Sequence, residues 1–148
     1  MTIQETLLTG MRNAKLLYAK SFDPLVRKYG VAKLQWDILL FLHHNPGFDT
    51  AQSICDLRGL SKSNVSNAVE ELTQRGYLVR SRDGGNRRVV HLAVTEAAKP
   101  LVTEGLETQQ SFFGALLNGL DGAERRQAAA LFAKINDNLN AMLKLGRE

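Results

Sequence analysis

Residues 60–98 read LSKSNVSNAVEELTQRGYLVRSRDGGNRRVVHLAVTEAA, and their hydrophobic period changes abruptly at Gly76. Before it, Val65, Ala68, Val69 and Leu72 recur at i, i+3, i+4 and i+7, the inward stripe of a helix. Ser61 has the short oxygen-bearing side chain that an N-cap needs. After Gly76, two short apolar runs, YLV and VVHLAV, flank RSRDGGNRR. Asp83-Gly84-Gly85-Asn86 has the composition of a hairpin turn, so strands are expected at 77–82 and 88–94. Few folds place a capped polar helix directly before a basic hairpin.

The segment before this block narrows the choice further. Residues 50–58 predict a short helix with Ala51, Ile54 and Leu57 on one face, closed by Gly59. Two helices joined by a three- or four-residue turn make a helix-turn-helix, and the hairpin that follows adds a wing. Upstream, apolar positions spaced three and four apart predict an amphipathic helix over 4–28, bent or restarted at Asp23-Pro24. Residues 34–44, LQWDILLFLHH, are apolar on nearly every side and predict a buried helix. Thr95 is expected to cap a long helix to about 118, with Pro100 inside its second turn. Asp121 and Glu124 form a capping-box start for a last helix to about 145. The fold class is mainly α with a small two- or three-stranded β-wing: a winged helix-turn-helix with long N- and C-terminal helices.

The chain has 148 residues, about one domain, and 44% of them are apolar, enough for a core without disulfides or metals. The whole is expected to be one domain over 1–148. Within it, the winged-helix lobe is expected over about 34–94, between terminal helices over about 1–30 and 95–148 whose apolar stripes need a partner surface. Between Arg58 and His91 lie seven basic residues against three acidic ones, an excess equal to the +4 of the entire chain. Charge gathered in one stretch points to an anionic partner. The start of the polar helix offers Ser61, Lys62, Ser63, Asn64, Ser66 and Asn67, groups that bond phosphate oxygens and base edges. The hairpin offers Arg82, Arg87 and Arg88, which reach a phosphate or a narrow minor groove. A charge cluster is more often only a solvated face. Here the charge, the capped polar helix and the Gly-Gly turn coincide, and double-stranded DNA is the expected partner.

The block resembles the core of the MarR family of transcriptional regulators. The resemblance rests on the leucine-serine start, the Ser/Asn-rich helix and the RGYLVR passage into an arginine-bearing strand. The NRR wing and the T-x-x-A opening of the next helix extend it. LQWDILLFL resembles the family's glutamine-containing helix upstream. Asn86 stands where the family usually has Asp, and Ala98 where it usually has Gly. The resemblance implies a homodimer whose recognition helices enter the major groove of a palindromic operator. Each wing would place an arginine, aligned with Arg88, at the minor groove. It also implies a repressor relieved by a small molecule, such as an aromatic acid. Asn86 is included among the DNA-contacting residues of the wing.

Other features are read more plainly. Cys55 is the only cysteine, which excludes an internal disulfide and suits a reducing compartment. Beside Ile54 and Leu57 it reads as a small core residue. His43, His44, His91, Asp49 and Cys55 lack metal-ligand spacing. Trp36, Phe41, Phe112 and Phe113 suit a core, a dimer interface or a ligand pocket alike. No catalytic motif, cofactor motif, leader or membrane span is legible, so a cytoplasmic non-enzyme without cofactor is expected. The rival readings are a winged-helix protein-interaction module and a thiol- or metal-responsive sensor.

Overall fold

A computed structural model describes residues 1–146. Seven α-helices and one hairpin follow in the expected order: α1 (Ile3–Ser21), α2 (Asp23–Tyr29), α3 (Lys33–His44), α4 (Ala51–Arg58), α5 (Lys62–Gln74), β1 (Leu78–Arg82), β2 (Val90–Val94), α6 (Lys99–Leu116) and α7 (Gly122–Leu145). The chain divides into two compact units, Met1–Phe112 and the remainder from Phe113.

The core of the first unit is built around α3. Gln35, Trp36, Ile38, Leu39, Leu40, Phe41 and Leu42 are all buried, as its all-round apolar pattern demands. Phe22 breaks the first long helix into two. Its ring is fully buried 6.0 Å from Trp36, and Pro24 then falls in the first turn of α2, where no amide hydrogen is needed. Gly105 of α6 lies against α3 so closely that a Cβ there would meet Leu40 Cδ2 at 3.0 Å and Trp36 Cζ3 at 3.2 Å. From α5, Val65, Ala68, Val69 and Leu72 complete the core as predicted.

Several local expectations are corrected. Of the proposed inward face of α4, only Ile54 is buried; Leu57 is 55% exposed. Thr95 makes no helix cap. Its hydroxyl donates to the Gly76 carbonyl at 2.6 Å, and a 3₁₀ turn over Glu96–Ala98 precedes α6. Pro100 is therefore the second residue of α6 and removes no helical hydrogen bond. The second strand begins at Val90, leaving Arg88 in the turn. The two strands are antiparallel, with Leu78 opposite Val94 and Arg82 opposite Val90.

The last helix starts as read. Asp121 accepts from the Glu124 amide at 2.9 Å, and Glu124 accepts from the Asp121 amide at 3.1 Å. Neither α1 nor α7 buries a residue. Leu8 and Leu17 on α1, and Leu131, Phe132, Met142 and Leu143 on α7, are all more than half exposed.

Candidate nucleic-acid interface

Helix α4 is closed by Gly59, whose φ of 65° is the left-handed conformation that glycine adopts freely. The chain turns through Leu60 and enters α5 at Ser61, whose Oγ accepts from the Asn64 amide at 3.2 Å. This is a helix-turn-helix. Because Val65, Ala68, Val69 and Leu72 face inward, the intervening positions must face out. Ser61, Lys62, Ser63, Asn64, Ser66 and Asn67 are all exposed. They surround the first turns of α5, where amide hydrogens and the helix dipole favour an anion.

Three contacts fix α5 on its scaffold, and none was legible as such in the sequence. Buried Gln35 of α3 accepts from the Ala32 amide at 2.9 Å and donates to Glu71 of α5. Arg80 of β1 donates to Glu70 at 2.7 Å, and that bond holds the Glu70 carboxyl below its ordinary pKa. Arg75, following the helix, donates to the Tyr29 and Gly30 carbonyls at 2.6 and 2.8 Å. Arg58 lies over the Phe41 ring, 5.5 Å from its centre. Much of the basic block is therefore committed inside the fold.

The wing is shaped by its own side chains. Asp83 accepts from the Gly85 amide at 2.8 Å, the main cause of its lowered pKa. Asn86 accepts from the Arg88 amide at 3.1 Å, so an amide oxygen does the turn-forming work expected of a carboxylate. Arg82 donates to the Arg87 carbonyl at 2.6 Å and braces the turn. Arg82, Asn86, Arg87 and Arg88 are all exposed. Among the described residues, the side chains of Lys62, Arg87 and Arg88 have no hydrogen bond or ion pair.

One further cluster joins the wing to the helix-turn-helix. His91 on β2 faces two carboxylates, with Nδ1 2.7 Å from Asp49 and Nε2 3.6 Å from Asp83. The hydrogen bond to Asp49 is the largest cause of the raised His91 pKa. Cys55 is half-buried against the core, and Trp36 and Phe41 lie within it. Among the described residues, no group of three or more His, Cys, Asp or Glu side chains is placed to hold a metal, and no helix is long and apolar enough to cross a membrane.

A helix-turn-helix, a polar helix start and an arginine-bearing hairpin define a winged-helix protein. Comparison with known proteins agrees. The model of the MarR family matches residues 29–89. The transcriptional repressor MprA of Escherichia coli K12 is 26% identical over 144 residues, covering 94% of this chain and 80% of MprA. A MarR-family regulator from Listeria monocytogenes, solved in complex with a 26mer DNA, superposes with a TM-score of 0.78 at 18% identity, covering 95% of this chain and 91% of its own. BpsR of Bordetella bronchiseptica, whose DNA binding is regulated by 6-hydroxynicotinic acid, superposes with a TM-score of 0.69 at 20% identity, covering 88% of this chain and 98% of its own. Residues 29–89 thus match the MarR family, and the relative MprA, which the chain resembles along most of its length, is a transcriptional repressor.

Proposed function

We propose that this protein is a homodimeric, sequence-specific transcriptional regulator that binds double-stranded DNA through α5 and the wing. The observation that carries the reading is the division of labour among the basic residues. Arg75 and Arg80 are held by protein acceptors, whereas Lys62, Arg87 and Arg88 surround the same surface without one. In this reading Lys62, Ser61, Ser63 and Asn64 contact phosphates at the start of α5. Ser66 and Asn67 read base edges in the major groove, because polar residues in a helix interior gain nothing from the helix itself. Arg82 and Asn86 hold the wing in shape while Arg87 and Arg88 reach the backbone and the minor groove.

The exposed apolar stripes of α1 and α7 support the dimer, since two-fold pairing is the commonest way to cover such surfaces. A palindromic operator follows from that symmetry. Repression is the mode suggested by the MprA relative. A small-molecule effector is part of the proposal, as BpsR has one. Within the first unit, a cleft of about 520 Å³ bears Glu104, Glu107 and Phe112. Glu104 there is paired with Lys28 at 2.6 Å, so Glu107 is the carboxylate left to favour a neutral or cationic aromatic compound over an aromatic acid.

The test is to recover bound duplexes from a random library and titrate the best one against salt. A steep loss of affinity with salt and a shared palindromic sequence are expected. A flat salt response would instead favour a protein-interaction module. Light scattering that returned the 16.4 kDa of one chain would overturn the dimer.

A further inference from the structure

The histidine on the second strand of the wing stands between two carboxylates that belong to different parts of the fold. Asp49 lies in the segment before α4, and its carbonyl accepts from the Leu92 amide at 2.8 Å. Asp83 begins the wing turn, where its amide donates to the Val89 carbonyl at 3.1 Å. The imidazole of His91 spans the gap. Nδ1 is 2.7 Å from Asp49 Oδ1, and Nε2 is 3.6 Å from Asp83 Oδ2.

A neutral imidazole carries one N–H and one lone pair. Whichever nitrogen kept the proton, the other would aim its lone pair at a carboxylate. Only the doubly protonated ring satisfies both sides. We propose that His91 is the positioning residue of the wing: protonated on both nitrogens, it ties the turn at Asp83 to the helix-turn-helix at Asp49, and the wing meets DNA best in that state. The proposal rests on the DNA-binding role given above to Arg87 and Arg88.

The surroundings favour this over a wider electrostatic effect. Elements β1, α3 and α4 pack on β2. On β1 the residue opposite His91 is Ser81, and the flanking Arg80 and Arg82 are held by Glu70 and by the Arg87 carbonyl. Lys33, Asp37, His43 and His44 of α3, and Asp56 and Arg58 of α4, make no ion pair with the ring. Asp49 raises the affinity of the ring for its second proton, partial burial opposes this, and Asp83 adds to it. The clamp is therefore complete below the ordinary histidine value of 6.5 and is lost as pH rises through the raised value.

The experiment compares wild type with His91→Gln on the selected duplex, at constant ionic strength, from mildly acidic to mildly alkaline pH. Wild type should lose about two- to fivefold in affinity across the histidine range, the scale of one exposed ion pair. His91→Gln should start from the weaker value and remain flat. In parallel, NMR follows the His91 ring and the Gly84 and Gly85 amides in the free protein. The amides should shift with the ring's midpoint, and Asp49→Asn should lower that midpoint. A variant that keeps the wild-type pH dependence, or turn amides that ignore the ring, would overturn the proposal. Absence of duplex binding at every pH would remove the DNA reading alone, and the free-protein titration would still decide the clamp either way.

Discussion

Arg75 donates to the main-chain carbonyl of Gly30 at 2.8 Å, a contact between the exit of α5 and the end of a helix 45 residues earlier. A second bond from the same guanidinium reaches the Tyr29 carbonyl at 2.6 Å, and the planar group lies 5.2 Å from the centre of the Tyr77 ring. Carbonyls at a helix C-terminus lack helical partners, and a two-pronged cation answers two of them at once. Arg75→Ala should lower stability by about 1–2 kcal/mol, with Arg75→Lys intermediate. A urea titration checks this: the midpoint should fall while the slope is unchanged.

Gly105 and Gly114 lie on the same helix, and the surroundings predict opposite outcomes for the same substitution. A methyl group at Gly105 would press on Leu40 and Trp36, whereas nothing lies within 4 Å of one at Gly114. Overpacking costs about 1–3 kcal/mol, against a helix-propensity gain of up to about 1 kcal/mol. Gly105→Ala should therefore lower the melting temperature, and Gly114→Ala should raise it slightly. Calorimetry on the two variants checks this, and a Gly105→Ala melting temperature at or above wild type would contradict it.

The sequence made the helix order, the buried α3 and the inward face of α5 readable because each rests on local periodicity and capping. The ten residues that the sequence offers as DNA contacts are all exposed, as the patterning of α5 and the composition of the hairpin suggest. What could not be read were long-range partners. Nothing local to Arg75 or Arg80 distinguishes them from Arg87 or Arg88; only the fold brings acceptors to the first pair. His91 reads from the sequence as an unconvincing metal ligand, because nothing local pairs its ring with Asp49, 42 residues away. Thr95 reads as a cap because a hydroxyl beside a helix start can cap it or bond a distant carbonyl, and only the fold brings the Gly76 carbonyl to it.

That division of the arginines gives a quantitative expectation. Each lysine or arginine that neutralises a phosphate contributes about one unit to the salt dependence of binding. Alanine at Lys62, Arg87 or Arg88 should reduce the slope of log affinity against log salt by about one. Alanine at Arg80 should leave the slope near wild type, because that charge already answers Glu70. Equal effects at all four positions would contradict the assignment.

Asn67 tests base reading separately from phosphate contact. Asn67→Ala should cost about 1–3 kcal/mol on the selected duplex and relax the preference at one base pair of each half-site. On random DNA the loss should be small. Repeating the library selection with the variant would reveal the relaxed position, and an unchanged consensus would remove Asn67 from the base-reading set.

The 24 residues of α7 bury no side chain, yet they carry a stripe of Leu131, Phe132, Leu139, Met142 and Leu143. Helical order in such a segment comes mostly from burying its apolar face. In the proposed homodimer, the order of α7 would depend on the concentration of the partner chain. For a chain that pairs with itself, folding of this segment and association become one equilibrium, and dilution acts as a denaturant. In that proposed assembly, protein concentration would govern occupancy of DNA twice, through binding and through the supply of completed binding units.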